Sequence, residues 1–129
     1  MEWKVDYIEG ADVLVGTKLG RFAVADEAAF LDELFGHPLR RPSTGIVIVF
    51  GELDIRPIGP PEMRRVVELF RRRSDLLQGT RIALCCTTTV QFGLGRQFQS
   101  LASSTAEISV FRQQEPALEW LATASKSLT

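Results

Sequence analysis

Residues 44–54 read TGIVIVFGELD, and the fold follows from how that stretch has to be covered. Ile46, Val47, Ile48, Val49 and Phe50 offer apolar side chains to both faces of a pleat, and β-branched residues dominate. A strand of this kind belongs in the middle of a parallel sheet with a layer above and a layer below. Gly51 then releases the chain into an acidic, proline-rich turn. Ligands of open parallel sheets gather beyond the carboxyl ends of the strands, so Gly51, Glu52, Asp54 and Arg56 stand where a site would form.

Working outward, residues 80–86 repeat the pattern with Ile82, Ala83, Leu84, Cys85 and Cys86, and a second two-faced strand is expected beside the first. Near the amino terminus Trp3, Val5 and Tyr7 alternate with Glu2, Lys4 and Asp6, the period of an edge strand with one wet face. Turn chemistry at residues 9–12 and an extended pattern over 13–19 make an antiparallel hairpin of the first two strands. Residues 107–111 supply the last strand.

Between the strands, helical spacing places Phe30, Leu31, Leu34 and Phe35 inward on a helix over residues 26–35, with Asp26 accepting backbone hydrogen bonds at its start. Gly59-Pro60-Pro61 opens a helix over 61–73 with Met63, Val66, Val67 and Phe70 as its stripe. Arg71, Arg72 and Arg73 then meet the negative end of its dipole, which is preferred here to an anion or membrane patch. Thr87, Thr88 and Thr89 offer a cap for a helix over 90–103 with Val90, Leu94, Phe98, Leu101 and Ala102 inward. Gly93 and Gly95 inside that helix suggest close approach by neighbouring backbone or a ligand. Glu115-Pro116 opens a final helix with Leu118, Trp120 and Leu121 inward, and residues 124–129 are expected to fray. The predicted fold class is α/β, with a five-stranded mixed sheet (an antiparallel amino-terminal hairpin, then parallel strands) and about four helices.

At 129 residues the chain fits one domain spanning its length. A net charge of −1 supplies no basic field, so nucleic acid is not expected as a partner. No apolar run approaches the ~20 residues of a membrane helix, and the amino terminus lacks the layout of a signal peptide, so residence in the cytoplasm is expected. Cys85 and Cys86 are adjacent and would point to opposite faces of a strand, which favours buried thiols over a disulfide. His37 is the single histidine and neither cysteine is near it, so no His/Cys metal site can be assembled. There is no GxSxG elbow and no GxxxxGK[ST] loop, and Gly93-Leu94-Gly95 lacks the third glycine of a dinucleotide loop. No cofactor, metal or catalytic residue is expected.

Three stretches carry a family resemblance: residues 20–34, residues 90–98 (VQFGLGRQF) and residues 110–121 (VFRQQEPALEWL). With them the chain resembles the SpoIIAA-like branch of the STAS domain superfamily, also grouped with lipid-binding CRAL-TRIO-type domains. The resemblance implies a right-handed β-α superhelix with consecutive strands adjacent, homodimers, and membrane-associated, lipid-like ligand binding. Anti-sigma-factor antagonists of the wider superfamily carry a phosphorylated serine after the third strand. Here that position reads Pro57-Ile58-Gly59-Pro60-Pro61, with no hydroxyl to accept a phosphate. Thr87, Thr88 and Thr89 are better read as helix caps than as phosphorylation sites.

Crossovers stepping in one direction stack their helices on one sheet face. The second face of the two-sided strands then needs its own cover: a displaced helix, a partner subunit or an apolar ligand. The expected site mouth combines Gly51, Glu52, Asp54 and Arg56 with residues 87–96. In it Phe50 and Phe92 are apolar contacts, Thr88 and the amides of the helix over 90–103 are donors, Arg96 is the counter-ion, and Thr87 and Gly93 complete the set. Against this, Glu52 and Asp54 also suit a solvated strand end, Arg96 a surface ion pair, and Phe92 an exposed or dimer-facing aromatic. The favoured reading is a non-enzymatic module, homodimeric, for a lipid-like or other amphipathic ligand or a membrane surface. A regulatory protein-interaction domain is the second class and an enzyme of unrecognised type the third.

Overall fold

A computed structural model describes residues 1–127. Five strands, β1 (Glu2–Ile8), β2 (Val13–Arg21), β3 (Gly45–Asp54), β4 (Arg81–Cys86) and β5 (Glu107–Phe111), form one sheet in sequence order. β1 pairs antiparallel with β2, and every later pair is parallel. The helices are α1 (Val24–Phe35), α2 (Pro60–Arg71), the short α3 (Ser74–Leu77), α4 (Thr89–Leu101) and α5 (Gln114–Ser127). The mixed α/β sheet is the one read from the sequence, with β3 and β4 both interior. The expected fraying over 124–129 lies, at 128 and 129, outside the described residues, and α5 runs to Ser127.

The two sides of the sheet are roofed differently. Leu14, Ile46, Ile48, Ile82, Leu84 and Cys86 pack with α1, α2 and α4 into the larger core. Phe35, Phe70 and Phe98 tie those three helices together edge-to-face, with ring centroids 5.8 and 4.7 Å apart. On the opposite side Val13, Val15, Val47, Val49, Ala83 and Cys85 lie against Ala117 and Leu121 of α5. The cover left open by the sequence is therefore a helix of the chain itself. Arg81 fastens it: its guanidinium grips Glu107 at 2.8 and 3.0 Å, donates to the Trp120 carbonyl and sits 4.6 Å from the Trp120 ring. Cys85 and Cys86 are free thiols on opposite faces, pushed by burial to about 11 and about 12.

Several local expectations need correction. Asp26 does not cap α1. The N-cap is Ala23, with no side-chain cap, and Asp26 lies in the first turn. Val90 (72% exposed) and Leu101 (45%) leave the inward stripe of α4, which is instead Gln91, Gly95, Phe98 and Ala102 with Leu94 half-buried. The phase is set by Gly95, where a Cβ would stand 3.0 Å from the Cys86 sulfur and 3.2 Å from Val110. Gly93 faces open space, so only one of the two helical glycines marks close packing. The loop at 37–43 is tied to the fold by Arg40, which donates to Thr80 Oγ1 and to the last-turn carbonyl of Phe35. Arg73 acts as expected at a helix end, donating to the Leu69 carbonyl, and also grips Asp32 of α1.

Asp12 closes the start of the sheet. Its carboxylate accepts from Tyr7, Thr44 and Arg41 at 2.8–2.9 Å, and its carbonyl accepts the Gly45 N–H. Burial opposes its ionisation, but the bonds from Tyr7, Thr44 and Arg41 outweigh it and lower its pKa. The hydrogen bond to Asp12, helped by burial, raises that of Tyr7.

Two tests follow from this packing. Gly16 sits under Phe30, and a Cβ there would lie 2.6 Å from the ring. Gly16→Ala should therefore lose about 1–3 kcal/mol to overpacking, while Gly93→Ala gains about 0.8–1.0 kcal/mol of helix propensity, both read by urea unfolding. The depressed Asp12 stabilises the fold above its unfolded pKa of about 3.9, and that contribution disappears as pH falls through the lower folded value. Tyr7→Phe removes a donor that depresses it, so the stability difference between about pH 6 and pH 2 should shrink relative to the parent.

Candidate functional site

The carboxyl ends of β3 and β4 are shaped by a bulge. Lys18 is opposite Phe50 but Gly20 is opposite Leu53, so β3 carries one extra residue. The insertion reverses the alternation and turns Leu53 into the larger core, with Glu52 exposed and Asp54 half-exposed on either side of it. Gly51 is needed there because a Cβ would come within 3.2 Å of the Lys18 carbonyl.

Gln91 holds this end together. Its side-chain NH2 donates to the carbonyls of Gly51 and Leu53 at 3.3 and 3.4 Å. Its side-chain oxygen accepts from the Thr87 amide and hydroxyl and more distantly from the Thr88 amide. Thr88 Oγ1 accepts the Gln91 N–H, completing a reciprocal cap on α4. The Thr-x-x-Gln spacing of 88 and 91 was the available signal for this residue.

Below the bulge, among the sheet, α1, α2 and α4, is a cavity of about 40 Å³. Ile48, Phe50 and Leu84 line it from the sheet, Met63 and Phe70 from α2, and Phe98 from α4. Half-buried Ile58, Val66 and Leu94 mark its outer side. Lys18 and Glu27 are the charged residues of its wall. Lys18 Nζ donates to both Glu27 carboxylate oxygens at 3.0 and 3.1 Å, with the side chains 5% and 2% exposed. The ammonium also sits 4.4 Å from the Phe50 ring centroid and 5.4 Å from that of Phe30. Desolvating two ions is expensive, and their attraction offsets it only while both are present.

The sequence reading missed this pair, although each member shows in its own element. Lys18 shares the inward parity of Leu14 and Gly16, and Glu27 precedes Phe30 and Leu31 by three and four residues on the inward stripe of α1.

Of the expected site residues, Phe50 lines the cavity and the others do not. Gly51, Thr87 and Thr88 are drawn together by Gln91 into a structural joint. Asp54 is chelated by Arg56 at 2.7 and 2.9 Å, with a further bond from the Arg56 amide, and its pKa is strongly lowered by these contacts. Glu52, Gly93 and Arg96 are exposed. Phe92 is half-buried under the Arg112 guanidinium, 4.4 Å from its ring centroid. Among the described residues no group of His, Cys, Asp and Glu side chains gathers that could hold a metal ion, and no helix is long and apolar enough to cross a membrane.

Comparison with protein-family models, with curated proteins and with solved structures returns no match to this chain.

Removing one member of the buried pair should be far worse than removing both. Lys18→Met strands the Glu27 carboxylate and is expected to lose about 3–5 kcal/mol in urea unfolding, whereas Lys18→Met combined with Glu27→Leu recovers most of that loss.

Proposed function

We propose that this chain is a non-enzymatic binding module that takes a small amphipathic, lipid-like ligand among α2, α4 and the sheet. The observation that carries the reading is the cavity itself: apolar walls at the carboxyl half of the parallel strands, interrupted by one fully buried ion pair. At about 40 Å³ it is far below the roughly 300–1,000 Å³ of a drug-sized pocket, so it accommodates the polar end of a ligand rather than a whole lipid. The tail leaves between Val66 and Leu94, where unbranched Met63 adapts its shape to the guest. Further support comes from the STAS-like stretches at 20–34, 90–98 and 110–121 and from the consecutive strand order, with self-pairing as part of the same reading.

A regulatory domain that docks a partner protein is the second reading. It draws on Val90, 72% exposed at the start of α4 beside the exposed Thr87, Thr88 and Thr89.

Native mass spectrometry after gentle purification should show the chain with a small amphiphile attached. Val66→Trp, which closes the outer side of the cavity, should abolish the adduct while far-ultraviolet circular dichroism is unchanged. A bare chain whose Met63 methyl resonance ignores every added amphiphile would remove the reading. Capture of a defined partner that is lost on Val90→Asp, with ligand uptake absent, would replace it with the second.

A further inference from the structure

Resting on the cavity reading above, we propose that the polar end of the ligand is an uncharged hydroxyl, and that carboxylates, phosphates and amines are rejected. The Lys18 ammonium has three hydrogens, and its hydrogen bonds among the described residues go to the two Glu27 oxygens. The third hydrogen has no hydrogen-bond acceptor among the described residues, on a nitrogen that lies 4.4 Å from the Phe50 ring centroid in the cavity wall. Each Glu27 oxygen accepts one bond from Lys18 and retains a free lone pair. Both side chains are more than nine-tenths buried, so bulk water does not meet this demand. The wall therefore offers one donor and one acceptor side by side, and an alcohol hydroxyl answers both, accepting from Lys18 Nζ and donating to Glu27.

Charge decides against the alternatives. Lys18 and Glu27 cancel, and no other charged side chain lines the cavity among the described residues. An anionic head would leave a net negative charge buried beside Glu27, and an amine would leave a net positive one beside Lys18, each against apolar walls. A hydrocarbon without a polar end would leave the wall unanswered. The volume of about 40 Å³ suits a hydroxymethyl group there, with the chain passing outward by Met63, Val66 and Leu94.

The test compares n-hexanol with hexanoate, equal in chain length, by titration at neutral pH while following the Met63 methyl resonance. In the parent protein n-hexanol should bind about tenfold tighter or more, a difference of about 1.4 kcal/mol. Glu27→Gln leaves the Lys18 charge uncompensated and should reverse the order in favour of hexanoate. The double variant Lys18→Met, Glu27→Leu should weaken n-hexanol, because the donor and the acceptor are both gone. Should Glu27→Gln not fold, the parent comparison and the double variant decide without it. Tighter hexanoate binding in the parent, lost on Val66→Trp, would overturn the hydroxyl assignment and leave the cavity reading standing. If neither compound moves the Met63 methyl, the cavity reading fails and takes this inference with it.

Discussion

A sheet whose inner strands are apolar above and below cannot be left wet on either side, and that constraint places every other element. Each of Val13, Val15, Val47 and Val49 gains about 1.5–3 kcal/mol from full burial, while whole domains hold only roughly 5–15 kcal/mol in reserve. Uncovering the face they share would consume much of that margin. Hence the division of labour: α1, α2 and α4 arise from the crossovers between parallel strands and roof one side, and α5, which connects no strands, is free to roof the other. Arg81 makes the second roof specific, because one guanidinium joins β4, β5 and the Trp120 turn of α5.

Within this packing the larger core is deliberately imperfect in one place. Lys18 stands where the parity of β2 calls for an apolar side chain, and Glu27 stands on the buried stripe of α1. Two charges in such a place stabilise little in net terms, and they sit beside a small void rather than in close-packed surroundings. Buried polarity next to empty space is a poor arrangement for stability alone. The proposed binding of an amphiphile would give that polarity a partner.

Much of the architecture was legible in the sequence because it is written in periodicity. β3 and β4 declared themselves by runs of β-branched and apolar residues, β1 by strict alternation, and α1 and α2 by stripes that the structure reproduces. The α4 stripe was misjudged because Val90 and Leu101 are apolar yet exposed, while its true inward positions include Gln91 and a glycine. Apolar identity is a weaker guide than fit where a Cβ at Gly95 would stand only 3.0 Å from the Cys86 sulfur. The site was harder still. Lys18 and Glu27 lie in different elements and meet only when α1 folds back onto β2, and the bulge in β3 depends on pairing with β2 that no run of single residues encodes. The rule that ligands gather beyond strand ends pointed to the half of the sheet where the cavity lies and to Phe50, which lines it. It also named Gly51, Thr87 and Thr88, which Gln91 draws together at the strand ends.

The position of α5 after the last strand has a bearing on how the sheet is closed. Because strand order follows chain order, the helices after β2, β3 and β4 all fall on one side of the sheet, and only the helix after β5 reaches the other. Ala117 and Leu121 are its buried cover, so the valine-rich reverse side has no roof until residues 114–127 dock. Without that closing helix the sheet would present a sticky plane to other chains, and α5 is the latch that shuts it away.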